Sequence, residues 1–255
     1  MVPIVGQEGE LIWGRNVVIN ALRSGRPLNK IFLGADSGRS IGEIRALAKE
    51  RRIPVEDAHR RRLDDLTGGA KHQGVAALVA PRSYVEVADI LARAQALNEP
   101  PLILMLAHVE DPRNLGAAAR SAVAAGAHGI IIPLRRAAPI TGAAEKASAG
   151  ALDEIPVARV VNLTRSLQEL KNSGLWTVGA DMQGEKLYFD VDLTGPLVLV
   201  VGGEDKGLGK LLAKECDQVV RIPMQPKVPS LNTSVAASLL LYEAVRQRIM
   251  MCRQP

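Results

Sequence analysis

Short apolar runs bounded by glycine and proline alternate with helical segments along the second half of this chain. Five of these runs are predicted strands, at residues 102–107, 129–132, 176–180, 197–201 and 218–222. Short, continuously apolar strands separated by helices are typical of a parallel sheet buried on both faces. The pattern therefore predicts an α/β fold, with a long, alanine- and leucine-rich final helix at about residues 233–251.

The first part of the chain has its own alternation of helices and strands. Helices are predicted at 16–24 and 41–51, and strands at 30–34 and 73–80, which together suggest a small α/β/α unit. Pro81 is predicted to end the last of these strands, and a helix at 84–97 is broken by Asn98 and the two prolines that follow. We predict a first domain at residues 1–82, a linker helix at 83–99 and a second domain at 100–255.

The positive charge of the chain is concentrated in the predicted first domain. Residues 1–82 contain 14 lysines and arginines against 9 acidic residues, whereas the remaining chain carries 18 of each. Because phosphate backbones are bound largely by lysine and arginine, this division favours nucleic-acid binding by the first domain. An ordinary solvated surface would explain a charge of this size equally well.

Cysteine content and hydropathy indicate a reduced, cytoplasmic protein. The chain has two cysteines, no leader-like segment at its start, and no run of about 20 apolar residues that could cross a bilayer. The four histidines lack the spacing of metal ligands, so no metal is expected. Among them, His72 is the one we would expect to contact RNA.

The segment 110–120 joins a predicted strand to a helix. Pro112 keeps Asp111 out of helical geometry, and Asn114 is a suitable N-cap for a helix over residues 115–124. Only small residues, Gly116 to Ala119, follow, so a ribose-phosphate backbone could approach Asn114 and Arg120 closely. A capped helix with a solvent-facing arginine is the alternative explanation.

Two further segments follow predicted strands in the same way. Residues 201–207 form a glycine-rich turn of the kind that receives an anion or a cofactor, but Leu208 stands where a nucleotide P-loop requires lysine. No strand of this domain is followed by a dinucleotide-binding glycine fingerprint. Residues 224–229 form an irregular loop before the last helix, which Ser230 or Asn232 could cap.

Taken together and in this order, the three segments resemble the motifs of the SpoU family of RNA ribose 2′-O-methyltransferases, in the SPOUT superfamily. Residues 13–17, 21–26 and 68–75 are similar to the ribosomal-protein-like RNA-binding domain that precedes the catalytic domain in bacterial 23S rRNA guanosine 2′-O-methyltransferases. The resemblance implies a SPOUT-type sheet with a trefoil knot, S-adenosylmethionine as cofactor, 23S rRNA as partner and a homodimer formed through the catalytic domain.

The resemblance also implies roles for individual residues. The active site would comprise Asn114, Arg120, Glu204, Ser230 and Asn232. S-adenosylmethionine would be held by Gly179, Gly202, Ile222 and Leu231, mainly through backbone atoms. Because an arginine is nearly always protonated, we expect Arg120 to stabilise the developing alkoxide or hold a phosphate rather than act as a base.

Three alternatives remain open at this point. The chain could methylate a guanosine ribose in tRNA, or it could methylate rRNA as an antibiotic-resistance enzyme. A noncatalytic ribosome-assembly factor that binds RNA is the non-enzymatic alternative, and the presence of all five implied active-site residues argues against it.

Overall fold

The computed structural model describes residues 10–35, 38–80, 83–204 and 206–252. Pro81, the predicted strand terminator, lies outside these residues. Within them the chain forms a four-stranded and a seven-stranded sheet, each covered by helices.

The smaller sheet has the strand order β1-β4-β2-β3 and is antiparallel except between β2 and β3. Helices α1 and α2 cover one face, where Val18 and Ile44 are buried, and α3 covers the other, where its Leu63 is buried in one cluster with Phe32 of β2. The elements are β1 (Glu10–Trp13), α1 (Arg15–Arg23), β2 (Leu28–Leu33), α2 (Arg39–Glu50), β3 (Val55–Asp57), α3 (Arg60–Thr67) and β4 (Val75–Val79). This is the predicted α/β/α unit, and β1 and β3 are strands that sequence patterns did not indicate.

The buried position of His72 argues against the predicted RNA contact. Its ring is 7% exposed, pairs with Asp64 Oδ1 at 3.0 Å, and accepts a hydrogen bond from the Gly74 amide at 3.0 Å. Both ring nitrogens are therefore used inside the domain.

The connecting helix α4 (Val87–Leu97) begins three residues later than predicted. Glu86 and Asp89 form a reciprocal capping box, in which the Glu86 amide donates to Asp89 Oδ2 at 2.9 Å. The preceding Val85 forms a bridge with Ala158 and lies along the larger sheet instead of joining the helix.

The larger sheet is parallel at every pairing among the described residues, in the order β7-β6-β5-β10-β8-β11-β9. Helices α5 and α10 pack on one face and α4, α8 and α9 on the other. The elements are β5 (Leu102–Leu106), α5 (Pro112–Ala124), β6 (Gly129–Pro133), α6 (Gly142–Ser148), α7 (Ala151–Glu154), β7 (Val157–Val160), α8 (Leu163–Asn172), β8 (Trp176–Ala180), β9 (Lys186–Leu187), β10 (Leu197–Val201), α9 (Lys210–Glu215), β11 (Gln218–Arg221) and α10 (Thr233–Cys252).

The smaller unit packs against helix α6 of the larger one. The Arg26 guanidinium lies 2.6 Å from Glu145 Oε1 and 3.1 Å from Glu10 Oε2, and the Glu145 side chain is fully buried. Asn20 Nδ2 donates to the Ala149 carbonyl at 2.8 Å across the same interface. A buried charge is stable only when it is paired, so Arg26 and Glu145 tie the two units together.

In the described ranges, no helix is both long and apolar enough to span a bilayer. The same part of the chain groups no three histidine, cysteine, aspartate or glutamate side chains in a way that would hold a metal ion.

Candidate active site

The loops after β5, β10 and β11 converge at the carboxyl edge of the larger sheet. Each contains one of the three segments singled out in the sequence. Ligands of open α/β sheets bind in the crevice outside the carboxyl ends of the strands. The fold therefore brings residues 110–120, 202–207 and 224–232 to one location.

Three polar side chains from these loops form a hydrogen-bonded cluster. Asn232 Nδ2 donates to Glu204 Oε1 and to Asn114 Oδ1, both at 2.9 Å. Asn114 Nδ2 donates to the same Glu204 oxygen at 3.1 Å. Each segment contributes one member, so the cluster fixes the position of all three loops.

Helix α5 begins earlier than the sequence suggested, and this corrects the predicted cap. Asp111, not Asn114, is the N-cap: its Oδ1 accepts from the Arg113 amide at 2.8 Å, and Pro112 occupies the first turn. Hydrogen bonds from the Arg113 side chain and amide lower the pKa of Asp111. Because Asp111 caps the helix, the Asn114 side chain is available to Glu204 and Asn232.

At the last helix, Asn232 fulfils one of the two predicted capping options. Its Oδ1 accepts from the Ser234 amide at 3.0 Å and from Ser234 Oγ at 2.6 Å. The next residue, Thr233, donates from its hydroxyl to the Gly202 carbonyl at 3.3 Å. Asn232 therefore uses Oδ1 to cap the helix and Nδ2 to join the cluster. These two sets of hydrogen bonds hold its side-chain amide in one orientation.

The glycine-rich turn is closed on itself. Gly203 and Gly207 exchange backbone hydrogen bonds of 3.2 and 3.0 Å, and Gly207 has a φ of +56°. A Cβ placed on Gly202 would lie 2.1 Å from the Gly207 carbonyl carbon. The turn needs glycine at position 202 because two backbone segments touch there.

We expect Gly202→Ala to disrupt this turn and to abolish cofactor binding at concentrations that saturate the original protein. The neighbouring atoms are backbone and cannot move aside like a flexible side chain. Gly195→Ala is the matched control, since a Cβ at Gly195 meets no atom within 4 Å. Isothermal titration with S-adenosylmethionine measures both variants, and full affinity in Gly202→Ala would refute this requirement.

A cleft of about 1010 Å³ opens beside the turn. Five predicted site residues line it: Gly202, Glu204, Ile222, Ser230 and Leu231. Val201, Met224 and Leu231 provide apolar walls, and Asp181 and Glu185 bring carboxylates to it. This combination suits a cofactor with an apolar base, ribose hydroxyls and a positively charged sulfonium, so S-adenosylmethionine fits the residues present.

Gly179 and Arg120 lie apart from the residues that line the cleft. A Cβ on Gly179, within β8, would meet Leu208 Cδ1 at 2.6 Å and Cys216 Sγ at 2.9 Å, beneath the floor of the site. Arg120 is exposed on α5 and makes no hydrogen bond or ion pair to another residue that the structure describes. Its guanidinium is therefore available to a ligand from outside the chain.

Sequence reasoning missed His108, Arg136 and Lys206 at the edge of the site. Burial lowers the pKa of His108, and the nearby charges of Arg136 and Lys206 lower it further, while Glu110 opposes them. The imidazole is therefore neutral at pH 7. His108 follows the end of β5 by two residues and Arg136 follows the end of β6 by three, so their position near the carboxyl edge was the signal that could have identified them.

Comparison with known proteins identifies the family to which this fold and cleft belong. Residues 101–242 match the SpoU rRNA Methylase family, and residues 11–85 match the RNA 2′-O ribose methyltransferase substrate binding family. The chain belongs to the SpoU family and is an S-adenosylmethionine-dependent RNA methyltransferase. It is 43% identical over 245 residues to YacO of Bacillus subtilis, named as a TrmH family tRNA/rRNA methyltransferase, with 96% of this chain and 98% of that protein covered.

Solved structures show the same architecture. The SpoU methyltransferase AviRb from Streptomyces viridochromogenes is 28% identical with a TM-score of 0.82, covering 96% of this chain and 91% of that one. Its complex with AdoMet, which is S-adenosylmethionine, gives a TM-score of 0.79 at 28% identity, over 94% and 90% of the two chains. An AdoMet-bound rRNA methyltransferase from Sinorhizobium meliloti is 27% identical with a TM-score of 0.78, over 94% and 87%. The predicted α/β fold with a SPOUT-like parallel sheet and the predicted cofactor are thereby confirmed, whereas the trefoil knot stays a prediction.

Proposed function

We propose that this enzyme methylates the 2′-hydroxyl of a ribose in RNA, and that its target is a guanosine of 23S rRNA. The observation that carries the proposal is the hydrogen-bonded cluster of Asn114, Glu204 and Asn232 at the mouth of the cleft. Helix α5, which provides Asn114, also carries the unpaired Arg120. Amide and carboxylate groups held in this way can orient a ribose, while the cleft holds the cofactor.

Each residue of the proposed site has a chemical task. A ribose 2′-hydroxyl is a weak nucleophile at neutral pH, so negative charge that develops on its oxygen must be stabilised. We assign this task to Arg120, and we assign orientation of the ribose to Asn114, Glu204, Ser230 and Asn232. When bound, S-adenosylmethionine supplies a methyl group on a sulfonium, and we place it against Gly202, Ile222 and Leu231, with Gly179 in the strand beneath them.

The remaining parts of the proposal concern the whole chain. We assign RNA binding to residues 1–82, a linking role to residues 83–99 and catalysis to residues 100–255. We also propose that the enzyme acts in the cytoplasm. The loop of residues 222–232 would pass through the 202–207 turn as a trefoil knot. The substrate-binding family match at residues 11–85 supports the first assignment.

We further propose a homodimer formed through the catalytic domain. Helix α10 buries Ala237, Leu240, Leu241 and Ala244 against its own sheet. Its opposite side exposes an apolar row comprising Val235, Leu239, Tyr242 and Ile249. A row at helical spacing favours a protein partner over solvent.

Light scattering at micromolar concentration should give twice the mass of the chain, and a monomer mass would contradict the dimer.

The substrate proposal is tested by transfer of labelled methyl from S-adenosylmethionine to unmodified 23S rRNA and to bulk tRNA in parallel. Digestion to nucleosides should yield 2′-O-methylguanosine from the rRNA alone. Label in tRNA would favour the tRNA alternative. Absence of label in both, with the cofactor bound, would leave a ribosomal particle as substrate or the noncatalytic assembly factor.

The position of the methylated nucleotide in the rRNA distinguishes an antibiotic-resistance enzyme from the enzyme of the main proposal. A resistance enzyme protects the ribosome from a drug, so its methyl group should lower the affinity of that drug for the particle. Primer extension at low deoxynucleotide concentration locates the modified ribose in the labelled rRNA. Drug binding to modified and unmodified particles then decides between the two.

A further inference from the structure

The loop after β6 is held firmly against the segment after β5. The Ala138 amide donates to the Val109 carbonyl at 2.7 Å, and Ala137 forms a parallel bridge with Val109. Arg136, immediately before these contacts, adopts a φ of +65°, a conformation that non-glycine residues seldom take. The position of Arg136 beside the site is therefore fixed by its neighbours on the chain.

Lys206 reaches the same place from the glycine-rich turn. It lies within the turn that Gly203 and Gly207 close, and it lines the cleft. Gly203 packs directly on His108, since a Cβ built there would be 2.8 Å from His108 Cβ. His108 in turn adjoins Val109, which the loop of Arg136 contacts, so the loops that carry Lys206 and Arg136 meet at His108. Their combined effect on the His108 pKa supports this placement.

Both cations are exposed and available for binding. Among the residues that the structure describes, neither Arg136 nor Lys206 forms an ion pair with an acidic side chain. By contrast, Arg113 nearby pairs with Asp111 at 2.9 Å. The larger domain is neutral as a whole, and Arg136 and Lys206 are two exposed cations that both act on His108.

We propose that Arg136 and Lys206 form a phosphate-binding pair that holds the RNA backbone next to the target ribose. This inference rests on the proposed function, because it takes an RNA strand as the molecule entering the cleft. A ribose cannot approach Asn114 and Glu204 without bringing its flanking phosphates to the rim of the site. Phosphate contacts of this kind fix register without reading sequence.

The pair is distinct from the basic residues of the first domain, and it has a different task. The first domain can capture RNA at a distance from the reaction. Arg136 and Lys206 would act on the nucleotides beside the target, where a shift of the backbone moves the 2′-hydroxyl away from the methyl group. Losing them should therefore weaken productive RNA binding.

The test compares Arg136→Ala, Lys206→Ala and the double variant with Lys214→Ala. Lys214 is an exposed lysine near the end of α9, so the control removes one charge away from the loops after β5 and β6. Binding of labelled 23S rRNA fragments is measured at several salt concentrations, together with KM, kcat and S-adenosylmethionine affinity. Circular dichroism verifies folding of each variant, and Arg136→Lys tests whether charge alone suffices.

We expect the slope of log affinity against log salt to fall by about 0.7–0.9 for each cation removed, with the double variant losing about twice that. The KM for RNA should rise in the same order, and the cofactor affinity of Arg136→Ala should stay unchanged because Arg136 does not line the cleft. Slopes and KM values equal to those of Lys214→Ala would overturn the proposal. Failure of the proposed function would appear separately, as no methyl transfer by the unaltered enzyme to any RNA.

Discussion

Replacing Glu145 by alanine should lower the free energy of unfolding by about 3–5 kcal/mol. The substitution removes the closer of the two carboxylates that pair with the Arg26 guanidinium, at 2.6 Å, and leaves only Glu10 Oε2, at 3.1 Å, for a side chain that is 8% exposed. Breaking a buried ion pair by removing one partner is much costlier than losing a surface ion pair. Denaturant unfolding followed by circular dichroism measures the change.

Two further variants make this prediction specific. Glu154→Ala removes an exposed carboxylate from the adjacent helix α7 and should change stability by at most about 0.5 kcal/mol. The double variant Arg26→Met, Glu145→Leu should recover much of the loss, because it removes the two most deeply buried charges together and leaves only the more exposed Glu10 carboxylate. A loss below 1 kcal/mol in Glu145→Ala would mean that the two units do not hold this interface in solution.

The interface between the two units lies close to the proposed active site because α6 packs directly on α5. A Cβ on Gly116 of α5 would lie 2.3 Å from the Ala144 carbonyl oxygen of α6, so the two helices touch through their backbones. Helix α5 carries Asn114 and Arg120. The docked first domain is thus separated from the proposed active site by only two closely packed helices.

Replacing Arg120 by alanine should reduce the rate of methyl transfer by about 100- to 1000-fold at saturating RNA and cofactor. The guanidinium is the one positive group assigned to the developing oxygen charge, and its removal leaves that charge to water. Affinity for S-adenosylmethionine should stay unchanged, because Arg120 does not line the cleft. Single-turnover transfer and isothermal titration measure the two quantities.

A matched control separates this effect from general loss of charge. Arg165 on α8 is exposed and pairs only at the surface with Glu169, so Arg165→Ala removes an equal charge away from the cluster. Its transfer rate should equal that of the original enzyme. An unaffected rate in Arg120→Ala would refute the role assigned to this arginine, and lost cofactor affinity would indicate a structural role instead.

The continuous apolar strands were predicted to within about one residue, because burial on both faces leaves an uninterrupted signal. Strands β1, β3, β7 and β9 were missed, since they are two to four residues long and carry charged residues such as Asp57 and Arg159. The N-cap at Asp111 could have been derived from Pro112, which favours the first turn of a helix.

The candidate site could be predicted from the sequence only in part. Spacing placed Asn114, Glu204 and Asn232 after strand ends, but their roles came from family resemblance, and only the fold shows which atoms bond. The Arg26–Glu145 pair joins positions 119 residues apart and had no local signal. The same holds for Arg136 and Lys206, which are brought together by strand order rather than by sequence proximity.

The most direct test of the central claim uses the chemistry of the product. A ribose 2′-oxygen attacks its own phosphodiester in alkali, and a methyl group on that oxygen prevents the attack. RNA labelled by the enzyme and hydrolysed completely in alkali should therefore release the label in an alkali-resistant dinucleotide. Label recovered only in mononucleotides would place the methyl group on a base and would contradict ribose 2′-O-methylation.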